Sequence, residues 1–251
     1  WYVADGDVSI SNRVDVNGSV NLLLKDDCEL SPNFIIISAG STLTIYAQTE
    51  GETSGKLVCS NGIGTVGSTL IIHGGTVNAT GTIGGRSRGE TGGTVTIYGG
   101  TVNASGTNGA GIGGGSSSSV DTNVNVIDSS CGNGGTVTIY GGTVNASGTN
   151  GAGIGGGSAA TGYYAGQQYY VGGGGTITIN GGTVNATGTS GGIGAGPNCG
   201  SKDFTNKVTP KGTLKGTSIG LITGTLVPSL NTSSFTGLIK NGGTYTVQKG
   251  Y

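Results

Sequence analysis

Apolar residues alternate with polar ones in short runs along most of the chain, and glycines separate the runs. In the clearest segment, the alternating apolar residues form three successive pairs: Val95/Ile97, Val102/Ala104 and Ala110/Ile112. A period of two is typical of a β-strand with one inward face. Glycine accepts the positive φ angles that tight corners require. The pattern therefore predicts units of three four-residue strands that are joined at glycine corners.

This unit repeats through the middle of the chain. The segment GGTVTIYGGTVNASGTNGAGIGGGS begins at Gly92 and again at Gly134, and shorter relatives begin at Gly67 and Gly174. The marker GGTVNA recurs at spacings of 25, 42 and 40 residues. The period is therefore 25 residues, and the two longer spacings carry inserts at 116–132 and 159–173. Both inserts follow the same Gly-Ile-Gly-Gly-Gly sequence, which predicts that they leave the repeat at one corner.

Three strands in each repeat predict a three-sided parallel β-helix whose coils stack about 4.8 Å apart. Weaker apolar pairs extend the pattern to both ends, so we expect one all-β domain of eight or nine coils over residues 1–251. It would have irregular coils at 1–66, regular repeats at 67–200 and irregular coils at 201–251. A calcium-binding nonapeptide β-roll is excluded, because Thr-Val or Thr-Ile follows Gly-Gly where that repeat needs its Gly and Asp.

Composition narrows the class of protein. Glycine accounts for 57 of the 251 residues and charged residues for only 9%, which disfavours an ordinary globular enzyme. The glycines do not recur at every third position, which excludes collagen. Net charge is −1 and neither sign is clustered enough to attract phosphates, so nucleic acid is not an expected partner. No apolar run is long enough to span a membrane. A first residue of Trp1 and the absence of Met suggest a processed protein or an excised domain.

The repeats GGTVTIYGGTVNASG and GAGIGGGS resemble the Gly-rich right-handed parallel β-helix modules of cell-surface proteins from anaerobic Gram-positive bacteria. The resemblance is strong over residues 67–200 and weak elsewhere. It implies a right-handed solenoid on the outside of a cell. Some members are described as carbohydrate-binding, which makes a cell-surface or plant polysaccharide an expected partner.

The outward positions of the predicted strands form columns from coil to coil. One column carries an aromatic or imidazole ring at four levels: Tyr46, His73, Tyr98 and Tyr140. We favour a self-supporting ladder of side chains, and the alternative is a strip of ring faces on which sugars stack. Two threonine columns beside it raise an ice-binding alternative, although Ile71 interrupts one of them.

A further outward column contains asparagines, each in the sequence Asn-Ala-Ser/Thr: Asn78, Asn103, Asn145 and Asn185. The motif is an acceptor for N-glycosylation. Duplication of one ancestral asparagine would produce the same column, and stacked amides can hydrogen-bond along a solenoid. We favour the amide ladder over glycosylation.

The second insert holds four of the ten tyrosines: Tyr163, Tyr164, Tyr169 and Tyr170. Tyrosine gives a broad, rigid contact surface on a loop, so this insert is our candidate for contact with a partner, together with the ring column. The alternative is that the insert packs as a cover on the neighbouring coil.

Four cysteines permit two disulfides in an oxidising compartment. Cys28 and Cys59 are predicted at inward positions of adjacent coils in one column, either as a disulfide or as two buried thiols. Cys131 and Cys199 lie near the corners, where a surface disulfide is expected.

The sequence predicts no catalytic residue, metal site or cofactor. The only histidine, His73, takes the place of a tyrosine in neighbouring repeats, and the paired acids lie in turn-like positions of the N-terminal third. The expected function is therefore a non-catalytic extracellular module of the adhesin kind that binds glycans through surface tyrosines. The alternatives are a filament subunit that stacks head to tail on further copies of itself, a calcium-dependent polysaccharide lyase and an ice-binding protein.

Overall fold

The computed structural model describes residues 1–86, 89–107, 109–116, 132–149, 151–158, 174–188 and 192–194, together with the backbone of three strands beyond residue 200. These residues form strands and turns and contain no helix. The strands wind into stacked coils, and each coil pairs in parallel with the next.

The coils have three faces. Face one is a sheet with one strand from each coil, in spatial order β1 (Tyr2–Ala4), β3 (Ser19–Leu24), β5 (Thr42–Ala47), β8 (Thr69–Ile72), β11 (Thr94–Ile97), β14 (Thr136–Ile139), β17 (Thr176–Ile179) and β20 (Lys207–Val208). Face two holds β6 (Lys56–Cys59), β9 (Thr76–Ala79), β12 (Thr101–Gly106), β15 (Thr143–Gly148) and β18 (Thr183–Gly188). Face three holds β7 (Ile63–Gly64), β10 (Ile83–Gly84), β13 (Ile112–Gly113), β16 (Ile154–Gly155) and β19 (Ile193–Gly194).

The first two coils close differently from the others. In each of them one long strand, β2 (Val8–Val16) or β4 (Glu29–Ile37), takes the place of the separate strands of faces two and three. The beginning of β4 pairs with β6 and its end pairs with β7. The described residues thus form seven coils, and β20 begins an eighth.

This architecture confirms the predicted three-sided parallel β-helix and is consistent with a right-handed winding. One prediction near the C-terminus is wrong, because β21 (Leu238–Asn241) and β22 (Thr244–Val247) form an antiparallel hairpin and not part of a parallel coil. Two glycines separate these strands in the sequence, and Gly-Gly is a favoured two-residue hairpin connection.

The core is a stack of apolar side chains that repeat from coil to coil. Leu70, Val95 and Val137 pair in register, and so do Ile72, Ile97 and Ile139; all six are buried. This register confirms the inward positions predicted from the period-two pattern. Face three is narrower than predicted, because its strands have two residues and not four. Glycines that flank each Ile-Gly pair, such as Gly111 and Gly114, explain the short strands, since glycine weakens strand structure.

Glycines at the corner between faces one and two explain much of the composition. Gly100 has a φ of +78°, and a Cβ at this position would lie 2.4 Å from the carbonyl oxygen of Gly75 in the coil before. The corner therefore admits no side chain, both because of the backbone conformation and because of the close approach of the coils. The same conflict recurs one coil later, at Gly142.

Both inserts leave the solenoid at the corner between faces three and one, as predicted. The first lies between β13 and β14, and the second between β16 and β17. The flanks of the two inserts are joined, because the amide of Gly157 donates to the carbonyl of Gly132 and the Ser158 amide donates to the Ser116 hydroxyl. Residues 117–131 of the first insert and the whole second insert, 159–173, lie outside the described residues.

Candidate functional site

The predicted ring column is a continuous ladder on face one. The rings of Tyr46 and His73 have centroids 4.7 Å apart and planes 4° apart. His73 and Tyr98 are 4.7 Å and 3° apart, and Tyr98 and Tyr140 are 4.9 Å and 4° apart. Trp1 adds a fifth ring, 5.1 Å from that of Tyr46 and tilted by 32°. Sequence reasoning missed Trp1, because the register assigns its position to a neighbouring column.

The stacking decides what the ladder offers to a ligand. Each inner ring has its two faces against the rings above and below it, so its edge is what points to solvent. Tyr98, an inner ring, is 46% exposed, and Tyr140, the last ring of the ladder, is 49% exposed and stacks on a ring on one side only. A sugar that stacks on an aromatic residue needs a free ring face. The geometry therefore supports the self-supporting ladder and disfavours the strip of free faces.

The predicted asparagine column is also a ladder. The side-chain amide of Asn103 donates to the side-chain oxygen of Asn78 at 2.7 Å, that of Asn145 to Asn103 at 2.7 Å, and that of Asn185 to Asn145 at 2.8 Å. The chain of amides supports the structural interpretation, and glycosylation of these asparagines stays an untested alternative.

Two threonine columns on face one complete the outward pattern. Strand register aligns Thr69, Thr94 and Thr136 in the first column and Thr96 with Thr138 in the second. Ile71 pairs with Thr96 and so interrupts the second column, as the sequence indicated. Ice binding stays a prediction that this interruption weakens.

A groove that sequence reasoning missed runs along the corner between faces one and two. It has a volume of about 450 Å³ and is lined by residues of coils three to six: Glu50, Gly51, Glu52, Ser54, Gly75, Thr76, Gly100, Thr101, Gly142 and Thr143. The sequence signal for this groove was the length of one corner: coil three has an eight-residue loop, 48–55, where the next coils have only Gly-Gly.

The two described cysteines are buried free thiols, so the Cys28–Cys59 disulfide is a wrong prediction. Glu29 pairs with Lys56, which places Cys28 beside Gly55, whereas Cys59 lies four residues further along the strand. That offset corresponds to about 13 Å, beyond the reach of a disulfide. Burial raises the pKa of Cys59 to about 12 and also raises the pKa of Cys28. Cys131 and Cys199 lie outside the described residues.

Charged side chains form few ion pairs in the described part of the chain. The described residues contain three ion pairs: Arg13 with Asp15, Lys25 with Asp5, and Arg86 with Glu90. All three are at the surface, where such pairs contribute little to stability. Within the same residues, no group of three or more His, Cys, Asp and Glu side chains is placed to hold a metal ion.

The N-terminal end of the solenoid has an apolar cavity of about 510 Å³. Its lining includes Val3, Val8 and Val14 from the first coil and Leu22 from the second. Tyr2 and Val3, which line the cavity, and Trp1, which precedes them, are more than half exposed. The outer edges of β1 and β2 pair with no other strand among the described residues.

Comparison with known proteins supports the fold. Four segments match the family described as beta helix repeat, at residues 70–89, 95–116, 137–158 and 177–197. They cover about a third of the chain and support a parallel β-helix module in its middle. No curated protein matches the chain, and no solved structure does. In the described part of the chain, no helix is long and apolar enough to cross a membrane.

The tyrosine-rich insert stays a prediction. Tyr163, Tyr164, Tyr169 and Tyr170 lie outside the described residues, so their contact with a partner is tested only by experiment.

Proposed function

We propose that the chain is a non-catalytic extracellular surface module that binds glycans and holds its binding loops on a rigid support. The observation that carries the proposal is the pair of in-register ladders, one of rings and one of asparagine amides. Each inner side chain of a ladder is held by the coil above and the coil below. The outer surface is therefore a fixed array of uncharged groups that repeats about every 4.8 Å.

The chemistry of that surface suits sugars. Hydroxyl and amide groups exchange hydrogen bonds with sugar hydroxyls without the cost of burying a charge. The second insert adds four tyrosines, a residue type that offers a broad and rigid contact surface when it lies on a loop. The resemblance to surface modules of Gram-positive bacteria supports the extracellular location.

A glycan array and pull-down on insoluble polysaccharides test this proposal. We expect the full chain to bind, and binding to fall when residues 163–170 are replaced by a Gly/Ser segment of equal length. The matched control replaces residues 119–126 of the first insert in the same way. Failure to bind any glycan would contradict the proposal, and so would the appearance of unsaturated, ultraviolet-absorbing products, which indicate a lyase.

A second candidate is a filament subunit, favoured by the apolar cavity and unpaired strand edges at the N-terminal end. Open sheet edges are templates for further strands. Residues 1–66 hold eight acidic and three basic side chains, whereas residues 201–251 hold six lysines and one aspartate. Head-to-tail contact would pair these opposite charges. Electron microscopy over a range of protein and salt concentrations should then show filaments that shorten as salt increases.

A further inference from the structure

The groove at the corner between faces one and two has the features of a ligand site. Its lining residues come from coils three to six, which span about 14 Å along the solenoid axis. The floor is made of glycine backbone, because the positive φ of Gly75, Gly100 and Gly142 favours glycine and the close approach of the preceding coil leaves little or no room for a Cβ. The demands of the tight corner therefore leave an open channel on the outer surface.

Ser54 points to a ligand independently of the groove's shape. Ser54 is only 5% exposed and lines the groove, and its hydroxyl oxygen has no hydrogen-bond partner among the residues that the structure describes. A buried polar group without a partner costs free energy, and such groups are rare in native structures. A hydroxyl or amine of a bound ligand would supply the missing partner.

Two carboxylates stand at the coil-three end of the groove. One oxygen of Glu50 lies 2.8 Å from the position that a Cβ of residue 74 would occupy, so the carboxylate overhangs the glycine floor. Neither Glu50 nor Glu52 belongs to an ion pair among the described residues. The nearest basic residue in the sequence, Lys56, precedes Thr76 in the threonine column and does not line the groove. The end of the groove therefore attracts positive charge.

The rest of the groove is neutral and repetitive. Thr76, Thr101 and Thr143 form one wall and pair in register from coil to coil. Two coils rise by about 10 Å, which is close to the length of one disaccharide in an extended β-1,4-linked chain. A linear ligand can therefore meet equivalent threonines at equivalent positions along its length.

We propose that this groove binds a linear β-linked glycan that carries free amino groups. An ammonium group lies between Glu50 and Glu52, a hydroxyl of the same sugar bonds to the Ser54 oxygen, and the threonine wall holds hydroxyls of the following sugars. The assignment rests on the proposed glycan-binding function and names both the place and the class of ligand.

Three oligosaccharides that differ in one group test the proposal: the β-1,4-linked hexamers of glucosamine, N-acetylglucosamine and glucose. Calorimetry with the full chain, at mildly acidic pH and low salt, should show at least about tenfold tighter binding of the glucosamine hexamer. Added salt should reduce this preference, because it screens the ammonium–carboxylate attraction. Equal binding of all three, or binding of none, would overturn the assignment.

Matched variants separate the groove from the fold. Ser54→Ala should weaken glucosamine binding by about tenfold and leave thermal stability unchanged or raised, because it removes a buried hydroxyl without a partner. Ser68→Ala is the control, since Ser68 is equally buried and its hydroxyl also has no partner in the described part of the chain, but Ser68 does not line the groove. Glu50→Gln with Glu52→Gln should abolish the amine preference, whereas Glu29→Gln outside the groove should not. Unchanged glucosamine affinity of Ser54→Ala, or retention of the amine preference in the variant that carries both Gln substitutions, would contradict the proposal.

Failure of the groove proposal can be distinguished from failure of the proposed glycan-binding function. Binding on the glycan array that depends on residues 163–170, without any effect of the groove variants, would keep the surface-module proposal and eliminate the groove.

Discussion

The imidazole ring of His73 lies parallel to the phenol ring of Tyr98, with 4.7 Å between the centroids and 3° between the planes. A second ring, that of Tyr46, stacks on the other side of the imidazole in nearly the same geometry. The only histidine of the chain is therefore held between two tyrosines as a middle member of the ladder.

Replacement of His73 tests how much the ladder stabilises the fold. His73→Ala removes two ring contacts, each worth about 0.5–1.5 kcal/mol, so we expect the free energy of unfolding to fall by about 1–3 kcal/mol. His73→Tyr restores the residue found at this position in the next two coils, and we expect it to stay within about 1 kcal/mol of the original. Chemical denaturation measures both. Equal stability of the alanine variant and the original chain would show that the ladder contributes nothing.

Alanine substitutions at two glycines with the same backbone conformation separate the cost of a positive φ from the cost of steric crowding by the neighbouring coil. Gly40 and Gly100 have φ angles of +76° and +78°, but nothing lies within 4 Å of a Cβ at Gly40. We expect Gly40→Ala to cost about 1 kcal/mol, from the left-handed conformation alone. Gly100→Ala adds a contact of 2.4 Å with a backbone carbonyl and should cost at least about 3 kcal/mol. Equal losses in thermal or chemical denaturation would contradict this account of the glycine corners.

Replacing an asparagine of the ladder by alanine should reduce the stability of the fold in proportion to the number of side-chain hydrogen bonds lost. Asn145 both donates to Asn103 and accepts from Asn185, whereas Asn185 shows only its bond to Asn145 among the described ladder members. At about 0.5–1.5 kcal/mol for each bond, Asn145→Ala should cost roughly twice as much as Asn185→Ala. Unfolding in denaturant compares the two variants. A larger loss from Asn185→Ala would contradict the ladder as the source of the effect.

The sequence predicted the fold wherever one coil repeats the next. The spacing of Val95 and Ile97 defined inward positions, and the copied residues around them defined the register, because a parallel solenoid aligns equivalent residues of successive repeats. The ring and asparagine columns followed from the same register.

The features that sequence analysis missed depend on departures from the repeat. Cys28 precedes the regular coils, so its alignment with Gly55 and not with Cys59 was visible only in the strand pairing. The groove depends on the loop of Glu50 and Ser54, which occurs in a single coil, and on three-dimensional crowding that leaves the Ser54 hydroxyl without a partner. Neither property has a periodic signal in the sequence.

Cys59 makes the stability of the solenoid depend on alkaline pH. Its side chain is fully buried, and burial raises its pKa from 9.0 to about 12, because the thiolate is poorly solvated in the core. Above about pH 9 the thiol loses its proton in the unfolded chain but keeps it in the folded chain. Ionisation therefore stabilises the unfolded state relative to the folded state. The stabilising contribution is therefore complete below about pH 9 and is lost as the pH rises toward 12.

The expected loss across this interval is up to roughly 4 kcal/mol, at about 1.36 kcal/mol for each pH unit. Tyrosines and lysines titrate in the same range, so the informative quantity is the difference in unfolding free energy between the original chain and Cys59→Ala. Alanine suits the site, because the register partner of Cys59 in the next coil is Ala79. The original chain should lose stability faster than the variant as the pH rises above about 9. Parallel pH profiles for the two proteins would show that the thiol is not shielded from water, and rapid labelling of Cys59 in the native state would lead to the same conclusion.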